Sequence, residues 1–400
     1  MNSILSISQI NFIRGGSDKY RFELNKLLSD NGYEIILFSA QHPDNQASTW
    51  SRYFPQGVNF DDPSAADLLR YIYSRSAARA IARLLQENRI DLAHLHIYYG
   101  QLTASILAPL KRRGIPIVQT LHEFKLVCPT YGLVTADGPC EACAGRHFWR
   151  AVQNRCNRGS LARSCLSAAE SYVSRWFGAR DKIDHFITVS DFQRNKLIDL
   201  GAPADRISTV HNFIDTELVQ PSFERGSYFL YFGRLEKSKG LWTLLRAAEQ
   251  LPEVPLYIAG DGSEREALKQ HLSKPGMEHV HYVGFKQGDE LSKLIRGSIC
   301  TITVSECYET FGLALIESFA HGRPVVASRM GGMPEVVTEG EDGFLIEAGD
   351  HQALAEWMKW MSEHPSEAIE MGRRGRKKVI EQFSPQRHLA QIEAVYREFL

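Results

Sequence analysis

The sequence predicts an α/β protein built from two doubly wound parallel sheets, and three observations carry that expectation. Its 400 residues exceed what one hydrophobic core organises, so two domains of roughly 100 to 200 residues are expected. Short β-branched, apolar runs alternate with amphipathic helical stretches, the signature of β–α–β units. Loops carrying glycine or paired charges directly follow several strands, which is where an open parallel sheet binds ligands.

Composition narrows the function classes. An apolar fraction of 44% and a charged fraction of 23% are those of an ordinary soluble globular protein. A net charge of -1 gives no global field for nucleic acid or for a strongly charged partner. No run of about 18 apolar residues is present, so no membrane span is expected. The opening MNSILSISQI has no basic start and reads as a first strand, not a signal peptide, and a cytoplasmic location is expected. There, seven cysteines, five of them from Cys128 to Cys165, favour thiols or a metal over disulfides.

In chain order, residues 4–9 read as a strand, 11–17 as a loop with Gly15 and Gly16, and 18–29 as a helix carrying Tyr20, Leu24, Leu27 and Leu28 on one face. Gly32 stops the helix, and 34–40 is a second strand. Gly15 and Gly16 sit beyond the carboxyl end of the first strand, a ligand position, although paired glycines also make plain turns. Residues 67–88 read as one long helix, 91–96 as a strand, 101–113 as a helix and 115–120 as a strand. His96 and His122 fall at strand ends, where a histidine is either structural or a hydrogen-bonding group.

The next segment departs from a minimal sheet fold. Cys128, an eleven-residue gap, Cys140-x-x-Cys143, and Cys156 after a twelve-residue gap suit a tetrahedral structural zinc. With only one CxxC pair, reduced thiols are the competing reading. Residues 146–182 interleave Arg146, Arg150, Arg175 and Arg180 with Trp149, Trp176 and Phe177, against Glu170 and Asp181 alone as acids. This is either a face for an anionic membrane or a solvated helix surface. A strand at 186–190, a helix at 191–200, a short strand at 207–211 and a polar linker at 220–226 follow.

Residues 228–233 open the second sheet, and GRLEKSKG (233–240) at the strand's end offers Arg234 and Lys239. Residues 256–259 form a further strand before Gly260-Asp261-Gly262, and 280–285 another, ending in Gly284 and Phe285. The richest stretch begins with a buried strand at 299–304 and a loop at 305–309. Phe311, Gly312 and Leu313 then open an apolar helix that stops at His321-Gly322. Glu309 and Glu317 are eight apart, ~12 Å along a helical path at 1.5 Å per residue. Free N–H groups between them suit a diphosphate, with one carboxylate left for sugar hydroxyls and the other for a ribose diol. For the pair alone, ordinary exposed glutamates are the competing reading. Residues 383–400 form a last helix, begun by Ser384-Pro385.

Glu309-(seven residues)-Glu317, followed by HGRPVVAS, GGMPEVV and DGFLIEAGD, closely resembles the donor half of family-4 glycosyltransferases of the GT-B fold. The likeness is strong over 228–350 and weaker before it. It implies two Rossmann-like domains facing a cleft: 1–212 on the acceptor side with the Cys-rich segment 128–165, and 213–383 for the nucleotide-sugar. Helix 384–400 returns to the first domain, and the hinge lies at HNFID (211–215).

The resemblance also implies a retaining, hexosyltransferase-type enzyme that moves a sugar from a UDP- or GDP-sugar to a glycan or lipid-linked acceptor in surface-polysaccharide biosynthesis, by front-face displacement. Arg234 and Lys239 would hold the diphosphate, Glu309 the sugar and Glu317 the ribose. Phe311, Gly312 and Leu313 would offer amides, Gly284 and Phe285 would cradle the base, and Gly15 and Gly16 would close over the phosphate. His122 would bond the transferring sugar. Some members share a CP segment, a CxxC and a later Cys, as Cys128, Cys140, Cys143 and Cys156 do here. With no Asp-x-Asp signature, no divalent metal or other cofactor is required for turnover. The chain departs from the pattern at Thr310, where glycine or proline is commoner, and at Glu123, where aspartate usually follows the histidine. An epimerase of the same fold and a non-catalytic scaffold are the alternatives. The basic aromatic segment argues against the first, and the intact Arg234, Lys239, Glu309 and Glu317 against the second.

Overall fold

The computed structural model describes residues 2–400, and it divides into two compact units: the chain up to Val210 together with Leu389–Leu400, and His211–His388. Among the described residues no helix is long and apolar enough to cross a membrane.

The first unit holds strands β1 (Ser3–Ile7), β2 (Glu34–Phe38), β3 (Leu92–Leu95), β4 (Ile117–Leu121), β7 (His185–Thr188) and β8 (Ile207–Thr209), with a small hairpin of β5 (Val134–Thr135) and β6 (Gly138–Pro139). The large sheet is parallel throughout, in the order β2-β1-β3-β4-β7-β8. Every residue of β1, β3 and β4 is buried, as expected of parallel strands covered on both faces. The helices are α1 (Gly16–Asp30), α2 (Ala65–Ile72), α3 (Arg75–Glu87), α4 (Leu107–Arg112), α5 (Arg150–Gln153), α6 (Leu161–Trp176), α7 (Ala179–Lys182) and α8 (Asp191–Asp199).

Two helices differ from the sequence reading. The helix expected over 67–88 breaks at Tyr73, whose backbone is extended, and Ser74 recaps the chain by accepting from the Ala77 N–H. The helix expected over 101–113 shrinks to α4 because Thr103 takes a positive φ of 62° and its hydroxyl accepts from the Ser74 N–H at 3.0 Å. One buried threonine thus ends two helical runs by satisfying backbone donors that a continuous helix would have used.

The second unit holds β9 (Tyr228–Phe232), β10 (Leu256–Ala259), β11 (Val280–Gly284), β12 (Ser298–Thr303), β13 (Val325–Ser328) and β14 (Gly343–Ile346), again all parallel, in the order β11-β10-β9-β12-β13-β14. Its helices are α9 (Leu241–Ala248), α10 (Arg265–Leu272), α11 (Gly288–Gly297), α12 (Leu313–Ala320), α13 (Met333–Val336), α14 (His351–Glu363) and α15 (Pro365–Gln382). Leu241, Leu244 and Leu245 of α9 pack with Phe229, Ile258 and Ile302 of the sheet, all at most 1% exposed.

The last helix, α16 (Pro385–Tyr396), starts in the second unit and ends in the first. His388 lies 2.8 Å from the His211 carbonyl oxygen, whereas the Tyr396 hydroxyl lies 2.6 Å from His94 Nδ1 and the Tyr33 hydroxyl donates to Glu393 at 3.2 Å.

Candidate active site

In the second unit the loops after β9, β12 and β13 converge because glycines let their backbones touch. Gly240 has φ +72°, and a Cβ there would stand 1.8 Å from the Val304 carbonyl oxygen. Gly331 has φ +67°, and its Cβ would stand 2.0 Å from the oxygen of Glu309. No L side chain fits either place. The Gly332 N–H donates to the Glu309 carbonyl at 2.8 Å, and the Glu306 N–H donates to the Ser238 carbonyl at 2.8 Å.

These contacts bring Lys239 and Glu309 together. The Lys239 ammonium donates to Glu309 Oε1 at 2.5 Å, with the two side chains 16% and 19% exposed. The Ser305 hydroxyl donates to the same oxygen at 2.5 Å, so both contacts fall on Oε1. Burial alone would pull the ammonium's pKa down, but Glu309 outweighs it and the net shift is upward from 10.5. Burial likewise pushes the Glu309 carboxyl up, and Lys239 with Ser305 brings it below its usual 4.5. Both groups are therefore charged at neutral pH. Arg234 acts electrostatically on both. Its own guanidinium is 67% exposed and donates to Glu236 at 3.0 Å, while its carbonyl accepts from the Tyr231 hydroxyl at 2.9 Å. Three of the four charged groups singled out in the sequence thus share one corner, two of them bonded to each other.

The continuous helical path from which ~12 Å was expected is not present: α12 begins at Leu313, so Glu309 lies in the loop before it. The break comes at Gly312, whose φ of +103° caps the helix start. Glu317 is half-buried on α12. The Phe311 side chain is turned into the core. Its ring is 1% exposed and packs 5.5 Å from Phe383 and 5.7 Å from His211, so only its backbone is left for a ligand. Leu313 and Gly312 are half-exposed and open the helix with its unpaired N–H groups. Gly284 closes β11 with φ +75° and open space where a Cβ would be, and Phe285 beside it is 62% exposed. Ser305, Gly240 and Gly331 were not singled out from the sequence. The glycines that follow a strand or a paired-glycine run were the available signal.

In the first unit, Gly15 is the N-cap of α1 and Gly16 its first residue, so only Gly15 belongs to the loop. Nothing lies within 4 Å of a Cβ built on Gly15. His122 Nε2 lies 3.3 Å from His96 Nδ1, and Tyr20 stands edge-on to both rings. Burial pushes the His122 pKa down to about 3 and that of His96 well below 6.5. Both rings are neutral at pH 7.

The four cysteines are free thiols gathered around the β5–β6 hairpin and α5. Burial pushes the Cys143 thiol up to about 12 and the Cys156 thiol up to about 11, with further upward pressure from the neighbouring cysteines. Among the described residues no three of these sulfurs lie within 4.8 Å of one another, wider than a tetrahedral zinc with Zn–S near 2.3 Å allows.

Residues 14–218 match the family described as Glycosyltransferase Family 4, and residues 215–378 match Glycosyl transferases group 1. The chain is 27% identical over 403 residues to N-acetyl-alpha-D-glucosaminyl L-malate synthase of Bacillus anthracis, covering 96% of this chain and 94% of that one. It is 25% identical to the MMP alpha-(1->4)-mannosyltransferase of Mycolicibacterium hassiacum, covering 88% of this chain and 77% of that one. Among solved structures, the sucrose-phosphate synthase of Thermosynechococcus elongatus superposes with a TM-score of 0.75 at 19% identity, over 100% of this chain and 99% of that one. HepE of Anabaena, solved with UDP and glucose, gives 0.69 at 19% identity, over 98% and 99%.

Proposed function

The chain belongs to the family-4 glycosyltransferases and has their GT-B fold, and from that premise we propose a retaining enzyme that moves a hexose from a UDP- or GDP-sugar to a glycan or lipid-linked acceptor during surface-polysaccharide assembly. The observation that carries the donor reading is the Lys239–Glu309 pair, with Arg234 acting on both, beside the amide-bearing start of α12. The HepE structure, by its title, holds UDP and glucose, which supports a nucleotide-sugar donor here.

In the proposed reaction the bond from the anomeric carbon to the diphosphate oxygen breaks, and the acceptor oxygen bonds that carbon on the same face. The acceptor proton passes to the departing phosphate oxygen. Lys239 and Arg234 offset the growing negative charge, and the N–H groups of Gly312 and Leu313 add fixed dipoles. The donor diphosphate would share Lys239 with Glu309, whose Oε2 accepts from a sugar hydroxyl. Glu317 takes the ribose, Gly284 and Phe285 the base, and Gly15 and Gly16 the phosphate side. A neutral His122 can bond the sugar without repelling the positive charge that develops on its ring.

Exposed Trp149, Trp176 and Phe177 among the arginines of 146–182 support a peripheral contact with an anionic membrane. A structural zinc at Cys128, Cys140, Cys143 and Cys156 would require that thiol shell to contract. About one equivalent is expected by elemental analysis, and a metal-free protein of unchanged stability would remove the idea. The activity itself is tested by incubating the protein with UDP- and GDP-sugars and mixed acceptors, with mass detection of product. Release of nucleoside diphosphate with a new glycoside supports it. Epimerised donor without release would replace it with the epimerase reading.

A further inference from the structure

A recess in the first unit has no part in the donor chemistry. It lies where Tyr98 and Tyr99 follow β3, against Gln119 and Leu121 of β4, and is walled by Arg175 of α6 and Arg180 of α7. Its room is about 60 Å³, enough for several waters, each of which needs ~10 to 15 Å³ for its centre. That admits a phosphate-sized group.

The charges there are out of balance. Lys125, which also lines the recess, is saturated: it lies 2.6 Å from Glu170 and donates to the Pro129 carbonyl at 3.0 Å and to Ser171 at 3.2 Å. Glu123 acts on it as well. Arg175 and Arg180 are different. Both are half-buried, and among the described residues neither makes an ion pair within 4.0 Å or a side-chain hydrogen bond. Burial and mutual repulsion with Arg146 lower both, with Arg180 also acting on Arg175 and Arg206 on Arg180; only Asp181 and Asp205 act the other way. Counting Lys125 with Glu170 and Glu123, and Arg146 and Arg206 with Asp181 and Asp205, the surroundings of Arg175 and Arg180 still keep a positive excess, which a phosphate monoester at about −1.5 to −2 would offset. Partly desolvated arginines without a counter-ion are held at a cost that a bidentate anion would remove.

We propose that Arg175 and Arg180 bind a phosphate group of the acceptor, so that the enzyme glycosylates a phosphorylated substrate whose phosphate enters this recess. The proposal rests on the glycosyltransferase reading for the word acceptor, but the binding site stands on the recess alone. The same phosphate chemistry could come from a lipid head group or from a free phosphorylated metabolite.

Two phosphate monoesters separate these: glycerol 3-phosphate, and dihexanoyl phosphatidic acid below its micelle threshold. Each is titrated calorimetrically on Arg234→Ala protein, which weakens phosphate binding in the second unit, and on the same protein carrying Arg175→Gln, Arg180→Gln or both. The two arginines have no intramolecular partner to lose, so thermal melts of these variants should match the parent. Loss of about tenfold or more in affinity per arginine, partly restored by Arg175→Lys, supports the site. Equal parental affinities for the two ligands then indicate a free metabolite, and a clear preference for the acylated one a lipid head group. Absence of binding to the parent, or affinities unchanged in the double variant, overturns the proposal. A parallel titration of UDP and GDP on protein with Arg234 intact reads the donor site separately: silence there strikes the glycosyltransferase reading and leaves the phosphate result to speak for the recess.

Discussion

At the scale of single residues, the site depends on one buried ion pair. Lys239 and Glu309 are 2.5 Å apart and mostly shielded from water, so removing one partner strands the other's charge, which typically costs ~3 to 5 kcal/mol. Glu309→Ala is therefore expected to lower both thermal stability and sugar use, whereas Arg234→Ala, removing an exposed side chain, should cut turnover ~100-fold with the melt unchanged. Melting curves beside steady-state kinetics check both, and an unaltered melt for Glu309→Ala would remove the pair from the account. The same pair sets limits in pH. Glu309 is depressed below 4.5, so its contribution is present above that value and lost as pH falls through the folded pKa. Lys239 is raised above 10.5, so its contribution is complete below that value and lost as pH climbs through the folded one. A nearer limit comes from His388, 2% exposed and pushed down to about 4 by burial. Below 6.5 the unfolded chain takes up a proton that the native ring refuses, so stability should fall by up to ~1.4 kcal/mol per pH unit from that group down to about pH 4. Denaturant melts from pH 7 to 4 should show this slope on top of those from His96 and His122, and His388→Asn should reduce the total by about one group's share.

At the scale of elements, strands were more legible than helices. Residues 256–259 match β10 residue for residue, and 228–233 and 299–304 lie within one residue of β9 and β12, because buried parallel strands are continuous apolar runs bounded by glycine or polar loops. Helix breaks were not legible. Nothing local in 67–88 shows that Ser74 will bond a threonine twenty-nine residues later, and periodicity continues across the break. The charged residues of GRLEKSKG and Glu309 were legible, but their mutual bond depends on Gly240 and Gly331 letting three loops touch. Gly240→Ala or Gly331→Ala is expected to destabilise the second unit by several kcal/mol, more than the ~1 kcal/mol of an unstrained change, since both backbone conformation and space forbid the methyl. Chemical denaturation of each variant checks this, and a loss under ~1 kcal/mol would show that the loops can separate freely.

At the scale of the whole molecule, chain length and β–α alternation sufficed to anticipate two parallel sheets, and each unit has a six-stranded parallel sheet in a doubly wound order. The return of the C-terminus to the first unit came from family likeness, since nothing in the local pattern of 383–400 says which sheet Tyr396 will meet. Binding of a nucleoside diphosphate to the second unit through Arg234 and Lys239 can be measured by calorimetric titration of UDP and GDP on wild-type protein and on Arg234→Ala. Saturable binding of at least one nucleotide is expected, weakened about tenfold or more in the variant. Equal binding by both proteins, or none by the wild type, would contradict it.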